Sequence, residues 1–363
     1  MKGKKQVVLT IAIVVALAVC AIAIALALKS RHTLETPTSN KTMGMGTVIV
    51  ESFYSMDNDV SNSAITKSTE IINSLDDDRL SWRKDGSDVA NLNKEGSAYV
   101  DYTTFSCIST CFDVSSKCDG AFDITVGNLT GLWNIGTEEA RVPSDEEINS
   151  ALPTINYKSI TLLPDNKGSY LVELGEGQRM DLGAVGKGLA CDKIREYLEG
   201  TSIIGGTVSV GGSILVYGEN PNAKDGSWNI AIRDPFGSES EYMAVINCGP
   251  CCISTSGDYE KVLIGPDDKK YHHILDPKTG YPAESNITGV TIVCDSGVLS
   301  DALSTACFIL GYGDKSLKVL EKYDAEAIFV MKNKTVLITD GIKSNVTITN
   351  ENFVSVTPTE VAG

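Results

Sequence analysis

Met180-Asp181-Leu182-Gly183-Ala184-Val185-Gly186-Lys187-Gly188-Leu189-Ala190-Cys191-Asp192 is the stretch at which this chain changes from strand to helix around closely spaced glycines. Strand-like segments at 159–163 and 170–174 lead into it, and a helix leaves it through Leu198. Gly183, Gly186 and Gly188 fall within six residues, so the main chain there can come close to a ligand. The following helix aims the positive end of its dipole at any phosphate placed before it. The spacing is neither Gly-x-Gly-x-x-Gly nor a Walker loop, so no generic nucleotide motif assigns it. Lys187 is then either a ligand contact or a solvated cation.

Working outward, Gly205-Gly206-Thr207-Val208-Ser209-Val210-Gly211-Gly212-Ser213 repeats the theme, with glycines bracketing a strand. Upstream, Met45-Gly46-Thr47 opens a strand over 48–54, and a helix is expected over 61–75. Trp82 stands in a polar loop, where it either stacks on a planar ligand or covers the rim of the core. A helix over 103–118 ends at Asp119-Gly120 and delivers Ala121-Phe122-Asp123-Ile124-Thr125. Asp123, between apolar neighbours, points inward, as a structural or a ligand-facing carboxylate.

Downstream, His272-His273-Ile274-Leu275-Asp276-Pro277-Lys278-Thr279-Gly280-Tyr281-Pro282 holds two of the three histidines on a turn that Pro277, Gly280 and Pro282 make rigid. This is either a solvated polar turn or a set of reactive groups. A strand over 287–293 follows, then a helix over 299–311 expected to be capped near Ser300. Asp301 and Thr305, four apart, share a face of its first turns. They form either a hard-cation site or a dipole-favouring acid beside a buried threonine.

Forty-two per cent of the 363 residues are hydrophobic and 21% charged, which excludes a disordered chain. A formal net charge of -16 excludes nucleic acid as a partner. An anionic ligand would need local neutralisation by a metal or a helix N-terminus. From Val7 to Leu28 runs an uncharged apolar stretch of 22 residues with Lys2, Lys4 and Lys5 before it and Lys29 and Arg31 after it. It is expected to be a single transmembrane anchor with a cytoplasmic N-terminus at 1–6, a linker at 29–42 and a fraying tail at 342–363. A cleaved signal lacks a small-x-small site near the end of the run, and a lipidated Cys20 would follow Val19 instead of a small residue. Nine of the ten cysteines lie outside this run. Cys248, Cys251 and Cys252 crowd a short apolar segment without a second pair at metal spacing, and the nine are expected to be buried thiols, which would suit a reducing exterior.

Taken together, Met45-Gly46-Thr47, Phe122-Asp123-Ile124-Thr125, Asp181-Leu182-Gly183-Ala184 with Lys187-Gly188, Ser254-Thr255-Ser256-Gly257-Asp258-Tyr259, His273-Ile274-Leu275-Asp276-Pro277 with Thr279-Gly280, and Asp301-Ala302-Leu303-Ser304-Thr305-Ala306 resemble the ApbE family. Its members are FAD:protein FMN transferases on the outer face of bacterial membranes, and the resemblance spans 43–341 in the family's order. It implies an α+β, T-fold-related domain of two packed halves with FAD between them. Met45, Trp82, Ala121, Phe122, Asp123, Asp181, Lys187 and Leu275 would line the FAD. Mg2+ would take the Ala184 carbonyl, Asp301 and Thr305, with Ser304 nearby. Trp82 stands where tyrosine is common, and Ser304 where some members carry a second acidic ligand, a change expected to weaken metal affinity.

The resemblance also implies the reaction. A threonine hydroxyl of an acceptor flavoprotein attacks the FMN-side phosphorus of FAD, and AMP departs. His273 is expected to be the base, on the ground that an unperturbed imidazole titrates near working pH, with Asp276 or Asp258 orienting it and His272 structural. The acceptor would be a subunit of an ion-pumping respiratory complex or an extracellular flavoprotein. Two alternatives use the same residues differently. An FAD pyrophosphatase would put water in place of threonine, and a membrane-anchored flavin-binding protein would need neither Asp301, Thr305 nor His273.

Overall fold

The computed structural model describes residues 16–26, 34, 36–164, 168–266 and 268–356. Nine strands follow one another in sequence order across a single sheet: β1 (Thr38–Gly44), β2 (Thr47–Tyr54), β3 (Gly205–Val210), β4 (Ser213–Gly218), β5 (Cys251–Gly257), β6 (Ile287–Cys294), β7 (Glu326–Met331), β8 (Thr335–Ile338) and β9 (Val354–Val356). Every neighbouring pair is antiparallel except β8 and β9. Two tight hairpins sit at one end of this sheet. Met45 and Gly46, both at positive φ, join β1 to β2, and Gly211-Gly212 joins β3 to β4. Glycine adopts that conformation freely, whereas Met45 at φ 48 is held there against its preference.

The helices are α1 (Asn58–Ser74), α2 (Asp88–Glu95), α3 (Tyr102–Lys117), the short α4 (Gly127–Trp133) and α5 (Asp145–Ala151), then α6 (Gly186–Leu198), α7 (Gly297–Leu310) and α8 (Asp314–Lys322); α1, α6 and α7 pack against the sheet, whereas α4 and α5 form a third core with Tyr271 and Leu275. The main core lies between the helical layer and the sheet, with Phe53, Ile108, Ile194, Ala302 and Phe329 among its buried members. A three-stranded sheet formed by Trp228–Arg233, Tyr242–Cys248 and Val346–Ile348 covers the other face over a second core that includes Trp228, Ile246, Val330 and Val336. All eight residues of β6 are buried, as a strand covered on both faces must be.

The mixed α+β architecture agrees with the expectation from sequence. Its limits are wider than 43–341. β1 begins inside the stretch expected to be a linker, and the expected tail supplies Val346–Ile348 and β9, because β-branched residues there complete two sheet edges. The helix expected over 299–311 starts two residues earlier. Ser296, not Ser300, caps it through its hydroxyl and the Leu299 N–H, so Asp301 and Thr305 lie beyond the first turn. Of the expected anchor, 16–26 is helical with Leu17, Val19, Ile22, Ile24 and Leu26 exposed. The rest of 7–28 lies outside the described residues. Among the described residues no helix is long and apolar enough to cross a membrane.

Candidate functional site

α6 and α7 meet without side chains between them, and this contact builds one wall of the site. A Cβ on Gly188 would lie 2.0 Å from the Gly297 carbonyl oxygen, and one on Gly297 would lie 2.1 Å from that of Gly188. Asp192 of α6 accepts from the Gly297 and Val298 amides at 2.6 and 2.9 Å and from the Ser296 hydroxyl at 3.0 Å, so a carboxylate neutralises the N-terminus of α7. The close approach places Asp301 against the first turn of α6. Asp301 Oδ2 accepts from the Gly188 amide at 2.6 Å, and Oδ1 accepts from the Ser213 and Ser254 hydroxyls, each at 2.6 Å. Burial pushes this carboxyl up, while Lys187 and the three donors oppose the rise.

The wall faces a cleft of about 530 Å³. Met45 of the strained hairpin, Trp82, Ala121, Phe122, Asp123, Asp181, Lys187, His273 and Leu275 all line it. So do Ala184, Asp301, Ser304 and Thr305. Asp123 accepts from the amide and hydroxyl of Thr125 and from the Tyr157 amide, so its carboxylate is satisfied within the protein while bordering the cleft. Asp181 accepts from the Gly183 amide at 2.7 Å, which holds the glycine turn open. The Trp82 ring carries the Arg83 guanidinium 3.9 Å from its centroid, and its buried indole N–H has no partner among the described residues.

The two expected orienters of His273 are not in the cleft. Asp276 accepts from the Lys278 amide at 2.8 Å and its own amide bonds to the Tyr281 carbonyl, so the Asp-Pro turn consumes it. Asp258 gives its amide to Thr288, and no hydrogen bond joins either acid to His273. His273 Nδ1 is buried without a partner among the described residues. Burial first, then the positive charges of Lys261 and Lys187, lower its pKa to about 3. The expectation of an unperturbed imidazole is therefore corrected: desolvation and two ammonium groups keep the ring neutral. His272, as expected, is structural, its Nε2 3.1 Å from the Ala283 carbonyl and its ring edge-on to Phe308.

Sequence reasoning missed Lys261. It directly follows the Ser254–Glu260 segment, and only folding shows that its amine joins Lys187 and Arg83 around the cleft. Burial and then those two cations push it below the usual lysine range. Ser213 closes the glycine-bracketed strand and Ser254 opens one of the quoted family segments, but only the fold brings their hydroxyls to Asp301.

A hard cation fits this donor set. Among the described residues no group of three or more His, Cys, Asp or Glu is assembled for a metal. One carboxylate with neutral oxygens from Ala184, Ser304 and Thr305 suits an ion that keeps water or phosphate as its other ligands.

The model of the ApbE family matches residues 45–329. The chain belongs to the ApbE family. It is 34% identical over 288 residues to the FAD:protein FMN transferase of Treponema pallidum (strain Nichols), covering 76% of this chain and 79% of that relative. It is 30% identical over 262 residues to the enzyme of the same name from Escherichia coli (strain K12), covering 71% and 74%. Among solved structures, the ApbE protein of Thermotoga maritima superposes with a TM-score of 0.73 at 31% identity, over 85% of this chain and 99% of the other. The flavin transferase ApbE of Vibrio cholerae gives 0.72 at 25% identity with the same coverage. The chain thus has the fold of these ApbE proteins over most of its length.

Proposed function

We propose that this chain is an FAD:protein FMN transferase that moves FMN from FAD to a threonine of an acceptor flavoprotein and releases AMP. Membership of the ApbE family supports the reaction class. The observation that carries it is the set of groups lining one cleft: Lys187, Lys261 and Arg83, a neutral His273 whose buried Nδ1 has no partner among the described residues, and Asp301 with Thr305. The three cations share the cleft with the carboxylates of Asp123, Asp181 and Asp301, a mixture that suits a diphosphate held partly by ammonium and guanidinium groups and partly through a divalent cation.

In this reading a bond forms between the threonine oxygen and the FMN-side phosphorus as the diphosphate P–O bond breaks. AMP keeps the bridging oxygen. His273 takes the hydroxyl proton at Nδ1, its buried nitrogen without a protein partner. A bound diphosphate offsets Lys187 and Lys261, which raises the basicity of His273 when substrate is present. Asp301, Thr305 and the Ala184 carbonyl would hold Mg2+, which would supply charge neutralisation at the diphosphate. Trp82 and Met45 would bound the flavin, and the cleft walls would exclude water. The apolar run at 7–28 and its basic flanks support a single-pass bacterial membrane protein with this domain outside. A respiratory-complex subunit or an extracellular flavoprotein would then be the acceptor.

The test incubates the full-length protein with FAD, MgCl2 and an acceptor domain, reading intact mass and AMP together. One FMN added per acceptor, lost with Asp301→Ala or His273→Ala, supports the reading. AMP with free FMN and an unlabelled acceptor replaces it with a pyrophosphatase.

A further inference from the structure

Cys248-Gly249-Pro250-Cys251 joins the last residue of the strand Tyr242–Cys248 to the first residue of β5, and so connects the small sheet to the central one. Each thiol is the main influence on the other's ionisation across this turn. Pro250 restricts the connection, which keeps the sulfurs together. Of the ten cysteines, Cys20 in the 16–26 helix is exposed, Cys248 is half-buried and the other eight are buried. The turn faces solvent: Gly249 and Pro250 are exposed, and a Cβ on Gly249 would meet nothing within 4 Å. Cys251 sits beneath, inside the second core. One thiol is thus reachable and its partner is shielded directly behind it.

Neighbouring cysteines do not compete. Cys252 points to the opposite face of β5, as adjacent strand residues do, and lies 2.8 Å from an Arg195 guanidinium nitrogen. That alternation also prevents Cys248, Cys251 and Cys252 from closing on one metal ion. Cys107 and Cys111 are a second close pair, but both are buried on α3. Cys251 favours the thiolate of Cys248, whereas the Cys248 sulfur first and then burial push Cys251 up.

We infer that Cys248 and Cys251 are a redox-active pair, with Cys248 the attacking thiol and Cys251 the resolving one, that a disulfide-bearing oxidant converts reversibly to a disulfide. Cys248 thiolate attacks one sulfur of the oxidant and expels its first thiol, leaving a mixed disulfide. Cys251, deprotonated, then attacks the Cys248 sulfur and expels the second thiol. Two protein thiols lose two electrons and two protons, and one oxidant disulfide becomes two thiols. The new bond staples the small sheet to β5, three residues before Ser254, whose hydroxyl holds Asp301. The inference is independent of flavin transfer.

The test equilibrates the full-length, folded protein in buffers from reduced to oxidised glutathione, quenches with acid, alkylates the remaining thiols and maps peptides by mass. The expected result is the loss of two alkylation sites, Cys248 and Cys251, through one internal disulfide that excess dithiothreitol reverses. Cys251→Ser should stop at a glutathione adduct on Cys248, Cys248→Ser should give neither adduct nor disulfide at this turn whatever the exposed Cys20 does, and Cys252→Ser should leave the midpoint unshifted. Two alkylatable thiols in the most oxidising buffer, a bond to any other cysteine, or a bond formed only after unfolding in denaturant would each overturn the inference.

Discussion

The Gly188 amide donates to Asp301 Oδ2 at 2.6 Å across the contact between α6 and α7. No side chain larger than hydrogen fits there, since a Cβ on Gly188 would lie 2.0 Å from the Gly297 oxygen and 2.9 Å from Asp301 Oδ2. Gly188→Ala must therefore separate the helices and displace Asp301 together. Overpacking of this kind costs about 3 kcal/mol, and the expected outcome is a lower urea midpoint with FMN transfer reduced more than the folded fraction. A variant that keeps wild-type stability would show that the helices have room to slide.

Asp301 is held by donors on three segments, from Gly188, Ser213 and Ser254. Asp301→Asn keeps the shape but removes the charge. Transfer should fall by about 100-fold, and Mg2+ affinity, read by calorimetry in the presence of an FAD analogue, by about 10-fold or more. Ser213→Ala acts only through the orientation of Asp301. It should lower metal affinity by less than the charge removal does.

Much of this site was legible because its residues sit in short, locally unusual stretches. The glycines of 183–188 announced a close backbone approach, and the structure spends Gly188 on Asp301 and Gly297. Met45 was noted beside a strand start, yet its positive φ follows from the register of β1 with β2, which only pairing reveals. Three positions depart from what the sequence leads one to expect. Asp276 is expected, with Asp258, to orient His273, but the Asx turn to Lys278 captures its carboxylate. Lys261 was passed over because a lone lysine carries no pattern, and its importance comes from burial beside Lys187. The helix cap at Ser296 was misplaced because Ser300 offers the same side chain one turn later.

His273 titrates at about 3 in the ligand-free fold, against about 6.5 for a free imidazole. Between those values the unfolded chain binds a proton that the folded chain refuses. The stability contributed by the neutral ring is therefore full above pH 6.5 and lost as pH falls towards 3. His273→Gln removes this dependence, so from pH 7 to pH 4 the wild type should lose more stability than the variant, by at most roughly 3 kcal/mol in urea melts. Equal losses would mean that His273 is protonated well above pH 3. Transfer by His273→Gln should be about 100-fold slower at pH 7.5, as expected for loss of a general base.

Lys261 separates binding from folding. Its stem is packed, since a Cβ on Gly136 would approach its Cδ to 2.9 Å, and its amine faces Lys187 and Arg83 with only Asp181 and Glu260 opposing them. In the ligand-free protein this like-charge grouping is unfavourable, so Lys261→Met, which keeps the length of the stem, should raise stability by about 1 kcal/mol. The same change should weaken FAD binding by about 10-fold, or about 1.4 kcal/mol, and flatten the dependence of affinity on salt. Opposite signs in the two measurements are the signature of a cation held in place for an anionic ligand. If both stability and affinity fell, Lys261 would be a packing residue, and the anion would depend on Lys187 and Arg83 alone.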